Sequence, residues 1–254
     1  MKEQIYTIPV NEAFDAKDEC PLCFLKRKAE QDMLDLALGS SASYMEPNVR
    51  EQTDALGFCQ EHFQKMCTYG NSLGNAWILK TYLKNTQTQL HKKIQAYKPG
   101  TKAKKPLFGA ASSESSNPIK AWTDGFSRQC FICKHQEDAY ERYLDTVFYL
   151  WKSEPDFVKK FKESKGFCIP HFGDLCEKAS QVLGPKEQEE FFAVLFPLME
   201  ENLDRIYEDV SWLIEKYDYR NKDADWKNSR DAVPRAMQKA KGGYPGDPPY
   251  QMKK

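Results

Sequence analysis

The strongest constraint on this chain is a cysteine–histidine pattern written twice. The first half carries Cys20-Pro21-Leu22-Cys23, then Gly57-Phe58-Cys59, His62-Phe63 and Cys67. The second half carries Cys130-Phe131-Ile132-Cys133, then Gly166-Phe167-Cys168, His171-Phe172 and Cys176. Both therefore read C-x2-C followed by G-F-C-x2-H-F-x3-C. Cys130 follows Cys20 by 110 residues, and Cys168 follows Cys59 by 109. All eight cysteines and two of the four histidines fall on this template. Self-similarity at a fixed offset is the signature of one structural unit used twice.

Composition limits what those cysteines are for. The 254 residues include 37 basic and 37 acidic side chains, so the net charge is zero, which argues against a protein devoted to neutralising phosphates. Mean hydropathy is −0.72, and no run of about 18 apolar residues offers a bilayer span. The opening, Met1-Lys2-Glu3-Gln4-Ile5-Tyr6, leads into no apolar signal core, so a cytoplasmic location is expected. In a reducing compartment, clustered Cys and His serve metal binding or redox work more often than disulfides.

The hydrophobic period is helical almost throughout. Tyr140, Leu144, Val147 and Trp151 recur at helical spacing, and Phe192, Leu195, Met199, Ile206, Val210, Leu213 and Tyr217 predict a seam along one long helix. Leu79, Leu83, Leu90, Ile94 and Tyr97 predict the same in the first half. Ile5, Ile8 and Val10 suggest one short extended piece. Each half then reads as four helices: one starting at the C-x2-C, a short one, one starting at the C-x2-H, and a long one. Gly70 with Gly74, and Gly184-Pro185, mark the break before the long helix. The expected fold class is all-α, with two related helical-bundle repeats, each pinned by a Cys3His metal site and joined by a flexible linker. The expected divisions are a first repeat over 1–98, a linker over 99–118 rich in Lys, Ser and Gly, a second repeat over 119–220, and a partly disordered extension over 221–254. Within the last, the Gly and Pro residues of 242–249 predict a loose tail. Most of the five tryptophans are expected in the core.

Cys20, Cys23, Cys59 and His62 form one candidate ligand set, and Cys130, Cys133, Cys168 and His171 the other. Three thiolates and one imidazole are the complement of a closed tetrahedral zinc site. Thiolates at helix starts meet the positive end of the helix dipole, which lowers their pKa and favours ligation. The near-equal spacings favour pairing within each half; C-x2-C of one half with C-x2-H of the other is the alternative. Two zinc ions are expected, with an iron–sulfur cluster or thiol redox chemistry as alternatives. A closed four-ligand site leaves no position for substrate, so the metal is expected to be structural. The thioredoxin βαβ context and the C-x2-C-H haem signature are both absent.

Cys67 and Cys176 lie about 140° around a helix from their neighbouring histidines, so they are read as packing residues or auxiliary thiols. His135 is a surface or supporting histidine and His91 a solvated one. Lys92, Lys93, Lys98, Lys102, Lys104 and Lys105 form a basic run; without interleaved aromatics it reads as a solvated linker, and nucleic-acid binding is the second alternative function. Nucleotide-binding glycine loops and hydrolase or metalloprotease signatures are missing. No catalytic residue emerges. The expected function is a non-enzymatic metal-binding module for a protein or small-molecule partner.

With these residues in hand, the chain resembles an uncharacterised bacterial family whose members open on an Ile-Tyr-Thr-Ile-Pro-Val-like segment (5–10 here). They continue with Cys-Pro-x-Cys, a Tyr-Met-Glu element (44–46 here) and Gly-Phe-Cys-x-x-His-Phe, repeated in the second half. The resemblance covers roughly residues 1–220 and implies a cytoplasmic protein of anaerobe-rich bacteria, with no activity attached. Phe131 departs from the pattern, standing where the first copy has Pro21.

Overall fold

A computed structural model describes residues 4–100 and 117–243. The protein is all-α: eleven α-helices and two short 3-10 turns, with no strand among the described residues. The helices are α1 (Gln4–Asp15), α2 (Pro21–Leu38), α3 (Pro47–Leu56), α4 (Gln60–Tyr69), α5 (Ser72–Ala96), α6 (Pro118–Arg128), α7 (Phe131–Ser153), α8 (Pro155–Lys162), α9 (Ile169–Val182), α10 (Pro185–Lys216) and α11 (Ala232–Lys241). After each C-x2-C the order is a first helix, a short one, one opened by the G-F-C element, and a long one. The expected 99–118 linker is described only at its two ends, and Lys102, Lys104 and Lys105 lie outside the described residues. So does the tail beyond Gly243.

The chain forms two compact units that are not its consecutive halves. Among the described residues, 4–29 with 138–243 make one, and 30–100 with 117–137 make the other. Two helices cross this division: α2 begins in the first unit and ends in the second, while α7 does the reverse.

The first unit is built on an aromatic core. Phe14, Phe157, Phe161, Phe167 and Phe191 are all buried, with ring centroids of Phe14–Phe157 4.8 Å and Phe161–Phe167 5.3 Å apart. Val10, Ala13 and Phe14 reach this core from α1. The extended piece expected over residues 5–10 is therefore helical: one face, carrying Val10, is buried, while Ile5 and Ile8 stay exposed on the other. Pro9 is accommodated inside this helix. Along α10 the buried seam runs through Phe191, Leu195, Leu198, Met199 and Ile206, whereas Tyr217, predicted to extend it, is 80 % exposed.

The second unit is smaller. Leu34, Ala37 and Leu38 of α2 pack with Phe58, Met66, Tyr69, Ile78, Phe131 and Ile132. The predicted seam of α5 differs most from expectation. Its buried residues are Gly74, Ile78 and Tyr82, while Leu83, Leu90, Ile94 and Tyr97 are exposed. The tryptophans depart similarly: Trp151 packs on Phe161 and Phe191, but Trp77 is exposed, and Trp212 and Trp226 lie under the ammonium groups of Lys227 and Lys216.

Candidate metal centres

The turns that carry the ligands come first. Cys59 and Cys168 occupy the N-cap positions of α4 and α9 in extended conformation, which places His62 and His171 in the first helical turn. Each cysteine is preceded two residues earlier by a glycine with positive φ, Gly57 at 59° and Gly166 at 72°, a region that side-chain-bearing residues rarely enter. At Gly57 a Cβ would also lie 2.4 Å from the Tyr82 phenol ring. The C-x2-C turns share a device too. The Cys23 N–H points at Cys20 Sγ at 3.4 Å, and the Cys133 N–H at Cys130 Sγ at 3.5 Å, so backbone amides support a negative sulfur.

These turns assemble two groups of four donors. One is Cys20, Cys23, Cys168 and His171, all in the first unit; the other is Cys59, His62, Cys130 and Cys133, all in the second. In each, the donor atoms lie within 4.8 Å of one another. All eight expected ligand residues fall in these two groups, but the pairing favoured by the spacings is corrected: each group takes its C-x2-C from one half and its C-x2-H from the other. The reason is helix length. At about 1.5 Å per residue, α2 with 18 residues and α7 with 23 are about 27 and 34 Å long. The helices that follow, α3 with 10 residues and α8 with 8, span only about 15 and 12 Å. Doubling back over so short a helix does not regain the start of the helix just left. In the second unit the exchange is sealed by the backbone: the Phe131 N–H donates to the Gly57 carbonyl at 2.8 Å. A proline could not make that bond, which gives Phe131 a purpose of its own.

The donor geometry fits one ion per centre. A tetrahedral ion with bonds of about 2.3 Å to sulfur and 2.0 Å to nitrogen has sulfur–sulfur edges of about 3.8 Å and sulfur–nitrogen edges of about 3.5 Å. In the first centre Cys23 and Cys168 are 3.7 Å apart, and His171 Nδ1 is 3.3 and 3.5 Å from the sulfurs of Cys20 and Cys23. In the second, Cys59 and Cys133 are 3.9 Å apart, and His62 Nδ1 is 3.1, 3.3 and 3.4 Å from Cys59, Cys130 and Cys133. One ring nitrogen can donate at most one hydrogen, so three sulfurs around it are not a hydrogen-bond network. The arrangement suits a single metal ion.

The surroundings tune each centre differently. Glu30, buried on α2, accepts from His62 Nε2 at 2.7 Å and is itself held by Lys65 at 2.5 Å. This fixes the ring so that Nδ1 faces the sulfurs, the carboxylate–histidine arrangement typical of metal ligands. Burial depresses the basicity of His62, but its contacts with Cys130 and Glu30 outweigh burial and raise it to about 10 when no metal competes. His171 instead lies 5.2 Å from the ring of Tyr140, whose hydroxyl donates to Asp174 at 2.6 Å. Burial and that acidic partner push the Tyr140 hydroxyl strongly upward, so it stays a donor.

A cationic shell near the first centre was not foreseen from the sequence. Within the segment expected to be partly disordered, α11 is an ordered helix whose Arg235, Gln238 and Lys239 are buried. Lys239 Nζ donates to the carbonyls of Glu19, at 2.5 Å, and of Lys165, and pairs with the Glu19 carboxylate at 3.5 Å. A Cβ on Gly242, which ends the helix, would lie 3.5 Å from Cys168 Sγ. Glu19 also binds Arg205 at 2.5 Å. Burial would raise its carboxyl; Arg205 and Lys239 override this and hold it below the usual range. Three thiolates and one divalent ion leave a net charge of −1, so a lysine buried beside Cys20 is electrostatically apt.

The centres differ in access. In the first, Cys20, Cys23, Cys168 and His171 are all buried; in the second, His62 and Cys130 are buried, Cys59 is half-buried and Cys133 is exposed. Cys67 is exposed, Cys176 is half-buried, and neither joins a centre. His135 Nε2 lies 2.9 Å from Gln52 Oε1, with its ring against Phe131, and His91 is exposed beside Gln95.

Comparison with known proteins agrees with the sequence resemblance. A model described as "Family of unknown function (DUF6062)" matches residues 1–247, so the chain belongs to that family. It is also similar to an uncharacterized 23.9 kDa protein in the xynA 3' region of Caldicellulosiruptor sp. (strain Rt8B.4), 24% identical over 205 residues, covering 81% of this chain and 85% of the relative. No solved structure matches.

Proposed function

We propose that this member of a family of unknown function is a non-enzymatic, zinc-binding helical module whose two ions are structural and which acts by presenting a helical surface to a partner. The observation that carries this is the convergence of four protein donors on one tetrahedron in each unit. Such a site has no open position for water or substrate. A multi-iron cluster would spread its ligands over several metal atoms, which donors within 4.8 Å of one another do not match. When bound, the ion supplies positive charge to three thiolates and a cross-link between chain segments distant in sequence. Zinc sites of this type contribute roughly 10–16 kcal/mol of apparent binding energy in small peptides, comparable to the net stability of a whole domain. All eight cysteines are unpaired, as suits a reducing cytoplasm. Anaerobic purification followed by metal analysis and a visible spectrum tests the proposal. A colourless protein with two zinc ions per chain is expected; brown absorbance with iron and sulfide overturns it.

A further inference from the structure

The second unit leaves one helix face uncovered. The first half of α5 is anchored by Gly74, Ile78 and Tyr82, but from Leu90 to Gly100 every residue is exposed. Most helical stability in proteins comes from packing an apolar face, which this end of α5 lacks. Yet from Leu83 to its C-cap residue Tyr97 the helix carries a regular apolar stripe: Leu83, Leu90 and Tyr97 are seven residues apart, and Ile94 lies between the last two. Leu83 and Ile94 are both 59 % exposed. At 100° per residue the four positions fall within an arc of about 60°, and they run for about 21 Å along the helix. The charge of the helix itself is one-sided as well, although Lys80 and Lys84 share a groove with Glu51 and Asp54 of α3. From Ser72 to Lys98 there are five lysines and no acidic residue. Lys93 and Lys80 lie on opposite margins of the stripe.

We infer that this face of α5 is a docking site for an acidic amphipathic helix of a partner protein. The inference rests on the partner-binding half of the proposed function and specifies the partner's chemistry. Three occupants compete, and two properties separate them. A second copy of this chain would set two lysine-bordered stripes against each other with no carboxylate on either helix, where opposite charges at the margins normally select partners. A lipid surface calls for a broad apolar face on an interfacial helix; an arc of about 60° at heptad spacing is instead the narrow seam that one helix presents to another. A helix with its own heptad stripe and acidic margins satisfies both the apolar and the charged parts of the surface.

The probe is a synthetic three-heptad peptide with Leu and Ile in its seam and Glu at its margins, labelled for fluorescence anisotropy against the full-length, metal-loaded protein. Saturable binding that weakens with salt is expected. Leu90→Glu with Ile94→Glu should weaken it at least about tenfold, since both changes place a charge where an apolar contact is made. These positions are exposed, so helicity and metal content serve as folding controls. A peptide with Lys at every marginal position should not bind. Absence of saturable binding, equal binding of the lysine peptide, a wild-type dimer dissolved by the double variant, or binding to phosphatidylserine vesicles in place of the peptide each overturns the inference. Two zinc ions per chain with no peptide binding removes this surface and leaves the zinc assignment standing; failure of the metal analysis removes that assignment itself.

Discussion

Glu30 Oε1 lies 2.7 Å from His62 Nε2, 32 residues away in sequence, and turns the other ring nitrogen toward three sulfurs. A carboxylate in this position fixes the tautomer and strengthens the ligand. Glu30→Gln keeps the shape but removes the charge. Metal affinity of the second centre should fall by about 10–100-fold, while the first centre, with Tyr140 beside its imidazole, is unaffected. Competition with a chromophoric chelator, read as two separate affinities, checks this.

Exchange of ligand pairs between the halves gives a stoichiometric signature. Cys23→Ala combined with Cys168→Ala damages one centre, so one ion per chain should remain. Cys23→Ala combined with Cys59→Ala damages both, and the bound metal should fall toward zero. Pairing within each half would give the opposite result, so metal analysis of these two proteins decides the matter.

Access sets the order of metal loss. The four ligands of the first centre are buried, whereas Cys133 is exposed and Cys59 is half-buried in the second. Chelator or a thiol-alkylating reagent should therefore remove the ions in two phases. The fast phase should be missing in Cys133→Ala, which begins with only the buried ion. A single phase in the wild type would contradict the assignment.

Lys239 is 2 % exposed and bonds two carbonyls as well as Glu19. Lys239→Ala strands those acceptors and should cost about 2–4 kcal/mol, with α11 becoming susceptible to protease first. Chemical denaturation in excess zinc and limited proteolysis measure the two effects.

Glu19 adds a pH dependence. Its folded pKa is held below the unfolded value of about 4.3. Its contribution is therefore fully present above that value and is lost as pH falls through the lower folded one. Acid also protonates the thiolates, so the readout is the difference between wild type and Glu19→Gln. The wild-type advantage should be constant near neutrality and shrink below about pH 4.3.

The duplicated Cys/His template, the helix starts at Pro21, Gln60 and Ile169 and the all-α class were legible in the sequence, because local chemistry controls them. An N-cap cysteine, a glycine at positive φ and a helical period act over a few residues. The eight candidate donors could be named for the same reason. Which four gather into one group could not, since that depends on how far α2 and α7 run before the chain turns back, a sum over whole elements. Tertiary packing also decided which apolar stripes were covered: Leu195 and Leu90 carry the same periodic signal, yet one is buried among aromatic rings and the other faces water. Glu30 and Lys239 owe their roles to contacts made across 32 and 220 residues. No local pattern marks such residues, because what makes them matter is the low dielectric and the partner that folding brings to them.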